Sequence, residues 1–211
     1  MNEQQRSAAW QAAGESIAHQ ISDGMRVGLG TGRSAAAAIR ALGARVAAGL
    51  KCTGVPTSLT SDQLAREVGI TVVPLREPLD IAFDGADCVT PHGQVVKGAG
   101  GAMVRERIVA DAAERFVVLV DTFKVASSLD AWGVLPVAVL PFAAERVGLA
   151  LAELSPTRRD RLSDDGLVLF DCAIPVGSDW EALATHIRAI TGVVDHGLFR
   201  VDPAEVIVGT P

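Results

Sequence analysis

The nonapeptide Arg26-Val27-Gly28-Leu29-Gly30-Thr31-Gly32-Arg33-Ser34 changes character twice. Its first four residues read as a short buried strand. The glycines that follow let the backbone turn tightly, and Ser34 opens an alanine-rich helix expected to run to about Ala48. A strand, a glycine loop and a helix start, in that order, offer backbone N–H groups to an anion. A dinucleotide site would also need an acidic residue about 20 positions on, to hold a ribose. The sequence there is Lys51-Cys52-Thr53-Gly54-Val55-Pro56. The loop therefore reads as a seat for a small phosphate ahead of NAD, with a plain tight turn as the bland alternative.

Outward from this stretch the chain alternates. Upstream, Ala9, Ala12, Ala13, Ile17 and Ile21 recur at helical spacing within Glu3 to Ile21, and Ser22-Asp23-Gly24 stops the helix. Downstream come a strand at Cys52 to Val55, a helix at Ser58 to Val68, and strands at Thr71 to Pro74 and Leu79 to Phe83. A hairpin-like Gln94-Val95-Val96 precedes a helix that ends near Ala113. Phe116 to Val120 is uninterruptedly apolar, as a sheet covered on both faces requires. The pattern predicts an open, mostly parallel α/β sheet. After Lys124 the texture changes: strands at Leu135 to Leu140 and Leu167 to Cys172, helices at Phe142 to Leu154 and Asp179 to Ile190, then Val193-Val194 and Gly197 to Phe199. This reads as a smaller α+β domain, 129–203, inserted into a first domain of 1–128 that a strand within 204–210 closes.

The composition narrows the function. The chain has 211 residues, 49 % hydrophobic and 21 % charged, with 19 basic and 25 acidic residues for a net charge of −6. These values describe a globular protein with a real core. Net negative charge argues against nucleic acid as a partner. Ala131 to Ala144, broken by Gly133, Pro136 and Pro141, is too short and interrupted to span a bilayer. The N-terminus carries no apolar signal segment. Cys52, Cys88 and Cys172 form no CxxC, and His19, His92, His186 and His196 form no metal-spaced cluster. The expectation is a soluble, cytoplasmic protein with no cofactor and no metal.

Three further loops carry chemistry. Asp84-Gly85-Ala86-Asp87 ends an apolar strand, and ligands of open α/β sheets sit beyond such ends. Two carboxylates three residues apart suit acid or base work on hydroxyl groups; the bland reading makes them turn caps. Lys97-Gly98-Ala99-Gly100-Gly101 leads into a helix bearing Glu106. Lys97 can stabilise an oxyanion and Glu106 can serve as a carboxylate base, against the reading of a solvated Arg105-Glu106-Arg107 face. Asp121-Thr122-Phe123-Lys124 follows the buried strand, and Lys124 can reach a phosphate at the same sheet edge.

In this order the four loops resemble those of the type A ribose-5-phosphate isomerases, over nearly the whole chain. The resemblance implies a Rossmann-like domain with a smaller ferredoxin-like domain, and a homodimer or homotetramer. It implies metal-independent interconversion of D-ribose 5-phosphate and D-ribulose 5-phosphate, in the non-oxidative pentose phosphate pathway. By position, Glu106 is the implied proton acceptor, with Lys97, Asp84 and Asp87 also catalytic. Thr31, Gly32, Arg33, Ser34, Asp84, Gly85, Ala86, Asp87, Lys97, Gly98, Ala99, Gly100 and Lys124 are the implied substrate contacts.

The sequence departs from that pattern in places. Arg33-Ser34 stands where the family has Ser-Thr, Cys88 where it has an acid, and Ala99 where glycine is usual. Trp10-Gln11-Ala12-Ala13-Gly14 lacks the lysine of the family's first helix. Arg33 is expected to replace that lysine as a phosphate ligand; a shifted substrate and a solvated Arg33 are the alternatives. Two other classes share the scaffold. A non-catalytic sugar-phosphate sensor would not need Glu106 and Lys97, and an acyl-CoA transferase would need a groove for which there is no separate signal.

Overall fold

A computed structural model describes residues 2–211 of the chain. The elements run α1 (Glu3–Ala18), β1 (Arg26–Leu29), α2 (Arg33–Ala47), β2 (Thr53–Pro56), α3 (Leu59–Glu67), β3 (Thr71–Val72), β4 (Ile81–Gly85), β5 (Cys88–Val89) and β6 (Gln94–Val96). They continue with α4 (Met103–Asp111), β7 (Phe116–Asp121), β8 (Val134–Val139), α5 (Ala144–Ala150), β9 (Thr157–Arg158) and β10 (Val168–Ala173). Last come α6 (Trp180–Arg188), β11 (Val193–His196), β12 (Leu198–Arg200) and β13 (Val206–Gly209).

Two compact units form: Met1–Ala86, Arg105–Val125 and Val201–Pro211 in the first, Asp87–Val104 and Ala126–Arg200 in the second. Residues 87–104 group with the second because β6 pairs antiparallel with β12 and Lys97 N donates to Gly197 O at 2.9 Å.

The first unit is a six-stranded sheet in the order β13-β7-β4-β1-β2-β3, all pairs parallel. Strand order reverses about β1, so the doubly wound switch point lies between the ends of β1 and β4. Strand alternation sorts side chains to two faces. Val27, Leu29, Ile81, Phe83, Val117 and Leu119 pack with Ile17, Ile39 and Leu42 of α1 and α2. Ala82 points the other way and packs with Val109 of α4 and with Ala112, the residue that follows it. Gly28 has no Cβ for a reason: one would lie 2.5 Å from Ala82 Cβ and Val109 Cγ1.

Local chemistry sets the helix ends. Asn2 and Gln5 form a capping box on α1, and Ser58 and Ser61 form one on α3. The first helix stops at Ala18 rather than Ile21, and Arg45 donates to the freed carbonyls of Ala18 and Ile21.

The second unit holds a four-stranded antiparallel sheet, β11-β8-β10-β9, and a three-stranded one, β12-β6-β5. Val137, Val139, Phe170 and Cys172 pack with Val147 and Ile187 of α5 and α6. Cys88, which departs from the pattern of the Asp84–Asp87 loop, joins this core, so its position is an apolar one. The helix expected from Phe142 to Leu154 is three pieces: 3-10 turns at Pro141–Ala143 and Ala152–Leu154 flank α5. Pro141 opens the first turn, and Ser155 ends the last in a left-handed conformation, φ 48°. Among the described residues no helix is long and apolar enough to cross a membrane.

Candidate active site

In the first unit the site is built at the carboxyl end of the sheet. β1 delivers Gly30 and Thr31 beside the end of β4, where Gly30 N donates to Phe83 O at 2.9 Å. Asp84 lies on the same face as Ala82 and is buried. Its Oδ1 accepts from Thr31 N at 2.9 Å and from Gly85 N at 2.7 Å. The carboxylate presses so closely on the loop that a Cβ at Gly30 would overlap it. Asp84 therefore clamps the first glycine loop across the switch point. The Thr31 hydroxyl is fixed as well, 2.7 Å from Thr57 Oγ1 and donating to Ser58 Oγ at 2.8 Å.

The loop then becomes a helix start. Gly32, at φ 99°, precedes Arg33, and no side chain caps α2. No residue of its first turn is acidic, so no carboxylate of the helix itself offsets its first N–H groups and partial positive charge. Arg33 is exposed, with its guanidinium carbon 4.5 Å from the centre of the Trp10 ring. A groove of about 800 Å³, whose lining includes Trp10, Thr31, Arg33, Ala37 and Ser61, runs beside it.

Glu106 reaches the same edge on α4. Leu79 N donates to Ala112 O at 2.8 Å, which puts the carboxyl end of α4 beside the start of β4. Val109 packs with Ala82 in mid-strand. One helical turn is about 4.5–5.4 Å, somewhat more than one strand residue. Glu106, a turn before Val109, thus stands near the level of Asp84 on the sheet-facing side of α4. It is 4 % exposed, so the solvated-face reading does not hold for it. Lys124 closes a 3-10 turn after β7 that Asp121 caps through Phe123 N, and it is half-buried.

In the second unit Asp87 clamps a different loop. Its Oδ2 accepts from Ala99 N at 2.8 Å. The two aspartates thus each have a backbone partner of their own, rather than acting only as a close like-charged pair. Lys97 is 2 % exposed, with Nζ 5.8 Å from the Phe199 ring centre. Gly98 needs its hydrogen: φ is 103°. Ala99 is not among the residues at positive φ, so alanine fits there without backbone strain.

Three supports of these loops escape a reading by motif. Arg159 forks onto Asp171, at 2.9 and 2.6 Å, and donates from Nη1 to Gly98 O at 2.9 Å and Ala99 O at 3.1 Å. Arg161 Nη2 donates to Gly100 O at 3.0 Å. The basic run Arg158-Arg159-Asp160-Arg161 was the available signal. The third is buried Asp121, whose Oδ2 accepts from Arg6 Nε at 3.0 Å and Trp10 Nε1 at 2.9 Å. Among the described residues no three His, Cys, Asp or Glu side chains are grouped to hold a metal ion.

Known proteins with this arrangement agree with one another. Residues 53–211 match the family model for ribose 5-phosphate isomerase A (phosphoriboisomerase A). Ribose-5-phosphate isomerase A of Haloarcula marismortui is 46 % identical, over 96 % of this chain and 92 % of its own length. The structure of ribose 5-phosphate isomerase A from Methanocaldococcus jannaschii superposes with a TM-score of 0.90 at 36 % identity, covering 96 % of this chain and 94 % of that one. A D-ribose-5-phosphate isomerase solved in complex with phospho-erythronic acid also gives 0.90, at 31 % identity, over 100 % of this chain and 96 % of that one. Motif order, doubly wound sheet and full-length kinship converge, and the chain belongs to the ribose 5-phosphate isomerase A family.

Proposed function

We propose that this enzyme moves a proton between C1 and C2 of the open-chain sugar phosphate through a cis-enediolate, with Glu106 as the base. The reaction of its family is the isomerisation of ribose 5-phosphate. In the direction of the ketose, the Glu106 carboxylate takes the C2 proton, and the C2–H electron pair forms the C1=C2 bond. The C1 oxygen gains a proton as the 2-hydroxyl gives one up. Glu106 then returns its proton to C1. The observation that carries this role is the burial of Glu106 on the sheet-facing side of α4, at the carboxyl ends of the strands.

Lys97 offsets the negative charge on the enediolate oxygen, as an electrostatic stabiliser does. Asp84 and Asp87 hold sugar hydroxyls and assist ring opening, besides keeping the Thr31 and Ala99 loops in place. The phosphate goes to the N–H groups of Gly32, Arg33 and Ser34, to the Arg33 guanidinium and to Lys124. Gly85, Ala86, Gly98, Ala99 and Gly100 supply the backbone walls. The relative solved with phospho-erythronic acid supports this reading. That compound joins a phosphate to a planar carboxylate, the charge pattern of a phosphorylated enediolate.

The test couples formation of ribulose 5-phosphate to a visible readout, with and without EDTA, in the wild type and in Glu106→Gln. Turnover that survives chelation is expected. The variant should lose about 10²–10⁴-fold in kcat while still binding the substrate. Near-normal turnover in Glu106→Gln overturns the base, and strict dependence on added metal overturns the metal-free step. We further place the enzyme in the cytoplasm and the non-oxidative pentose phosphate pathway, as a homodimer or homotetramer. Three buried cysteines outside any disulfide suit a reducing compartment, and exposed Phe142 and Leu149 give a second copy apolar surface to cover. Light scattering on the purified chain reads the oligomer; a monomer at micromolar concentration overturns it.

A further inference from the structure

We propose that Trp10 is a positioning residue: pinned by Asp121, its indole is the platform that holds Arg33 over the phosphate seat at the start of α2. The proposal rests on the reading that the Thr31–Ser34 loop takes the substrate phosphate.

The indole is fixed at two levels. Its Nε1–H goes to Asp121 Oδ2 at 2.9 Å, and Asp121 is fully buried. The same oxygen takes Arg6 Nε at 3.0 Å, while Oδ1 takes Phe123 N at 3.0 Å. Arg6 and Trp10 stand four residues apart on α1, so one helix face meets the carboxylate twice. Two guanidinium groups then lie against this one ring, Arg6 at 5.3 Å and Arg33 at 4.5 Å. Asp121 neutralises Arg6 through their ion pair. Arg33 has no such partner: it is exposed and makes no ion pair among the described residues. The ring therefore carries one uncompensated cation.

That cation sits where a helix disfavours it. Arg33 is the first residue of α2, at the positive end of the helix, in a turn that contains no acid and no side-chain cap. Local rules are broken in this way where function gains from it. An anion resolves the conflict, because it meets the guanidinium and the unsatisfied N–H groups together. A flexible arginine would lose rotamer freedom on binding; stacked on a fixed indole, it has already lost part of it. Trp10 acts on the phosphate only through Arg33.

A double-variant cycle on kcat and KM for ribose 5-phosphate reads this. Arg33→Ala should raise KM about tenfold or more. Trp10→Ala should raise KM about threefold to fivefold, with kcat held within about twofold. The double variant should be no worse than Arg33→Ala alone. Effects that multiply in the double variant overturn the proposal, because Trp10 then acts independently of Arg33. If Trp10→Ala does not fold, Trp10→Phe carries the same cycle with the same criterion.

A second readout needs no turnover. The chain has three tryptophans and no tyrosine, so in a Trp132→Phe/Trp180→Phe background the tryptophan emission is that of Trp10. Inorganic phosphate should change that emission saturably, and Arg33→Ala should abolish the change. An unchanged emission in protein that isomerises normally overturns the platform. A protein with no isomerase activity that keeps the Arg33-dependent phosphate signal overturns the functional reading instead and leaves the platform standing.

Discussion

Gly30→Ala would force a methyl group into the Asp84 carboxylate and to within 2.5 Å of the Asp84 Cα. Neither side has room to yield. β1 and β4 are neighbouring parallel strands, and Gly30 N is bonded to Phe83 O at 2.9 Å. Overpacking of this kind costs about 1–3 kcal/mol. Displacing the carboxylate also weakens its bonds from Thr31 N and Gly85 N. A hydrogen bond to a charged group is worth about 1.5–3 kcal/mol, so losing one brings the cost to about 2.5–6 kcal/mol. In a chain of this length, 1 kcal/mol moves the midpoint by about 2–4 °C. The expected result in scanning calorimetry is a Tm about 10 °C lower, with KM raised because the phosphate loop has lost its clamp. Trimming the carboxylate does not rescue it, since the clash with the Cα remains: Gly30→Ala/Asp84→Ala should melt no higher than Gly30→Ala. Gly32→Ala offers a contrast. Its Cβ would meet nothing within 4 Å, so only the backbone conformation, φ 99° and ψ −176°, penalises it, at about 1–3 kcal/mol. A Gly30→Ala protein melting within about 2 °C of the parent, with unchanged KM, would refute the close-approach argument.

Arg159→Met should lower kcat/KM about tenfold or more, by freeing the carbonyls of Gly98 and Ala99 that steady the Lys97 loop; steady-state kinetics checks it, and an unchanged value removes Arg159 from the site. Burial beside Asp171 pushes the Cys172 thiol up to about 12, and burial raises Cys52 against the pull of Arg45. Both favour the neutral thiol in the folded state. Their contribution to stability is full below pH 9 and fades as pH rises from there toward 12, so denaturant midpoints should fall across that window. Ellman's reagent at pH 8 should label no thiol quickly until the protein is unfolded; rapid labelling of a folded sample contradicts the burial of all three.

The layout of the first unit was legible because its strands are buried on both faces and its loops carry glycine. Phe116 to Val120 admits hardly any other reading, and Gly28 and Gly30 proved to mark close approaches of α4 and Asp84. Two strands of the small sheet β12-β6-β5 were marked in the sequence, at Gln94 to Val96 and Gly197 to Phe199, but their pairing was not, since strands of two or three residues have no period and a partner a hundred positions away leaves no local signal. The same holds for Asp121. A motif reading stops at Lys124, but the carboxylate's partners, Arg6 and Trp10, lie 115 and 111 residues upstream. Arg33 stood out in the sequence as a departure from the family pattern, whereas its indole neighbour emerged only once α1 was laid beside α2.

The parallel partner of β7's outer edge is β13, and the larger part of the second unit, Ala126–Arg200, is translated between the two. From Asp121 to Val206 the ribosome needs about 4–17 seconds at ordinary elongation rates. During that interval the nascent sheet has an open, apolar hydrogen-bonding edge, of the kind chaperones shield. The arriving strand brings Gly209 against the backbone of Ala9, where a Cβ would collide with the Ala9 carbonyl. Helix α1 can dock on α2 as soon as both are made, but its contact with Gly209 waits for β13, and a stop codon before residue 206 would leave that contact and the β7 edge open together.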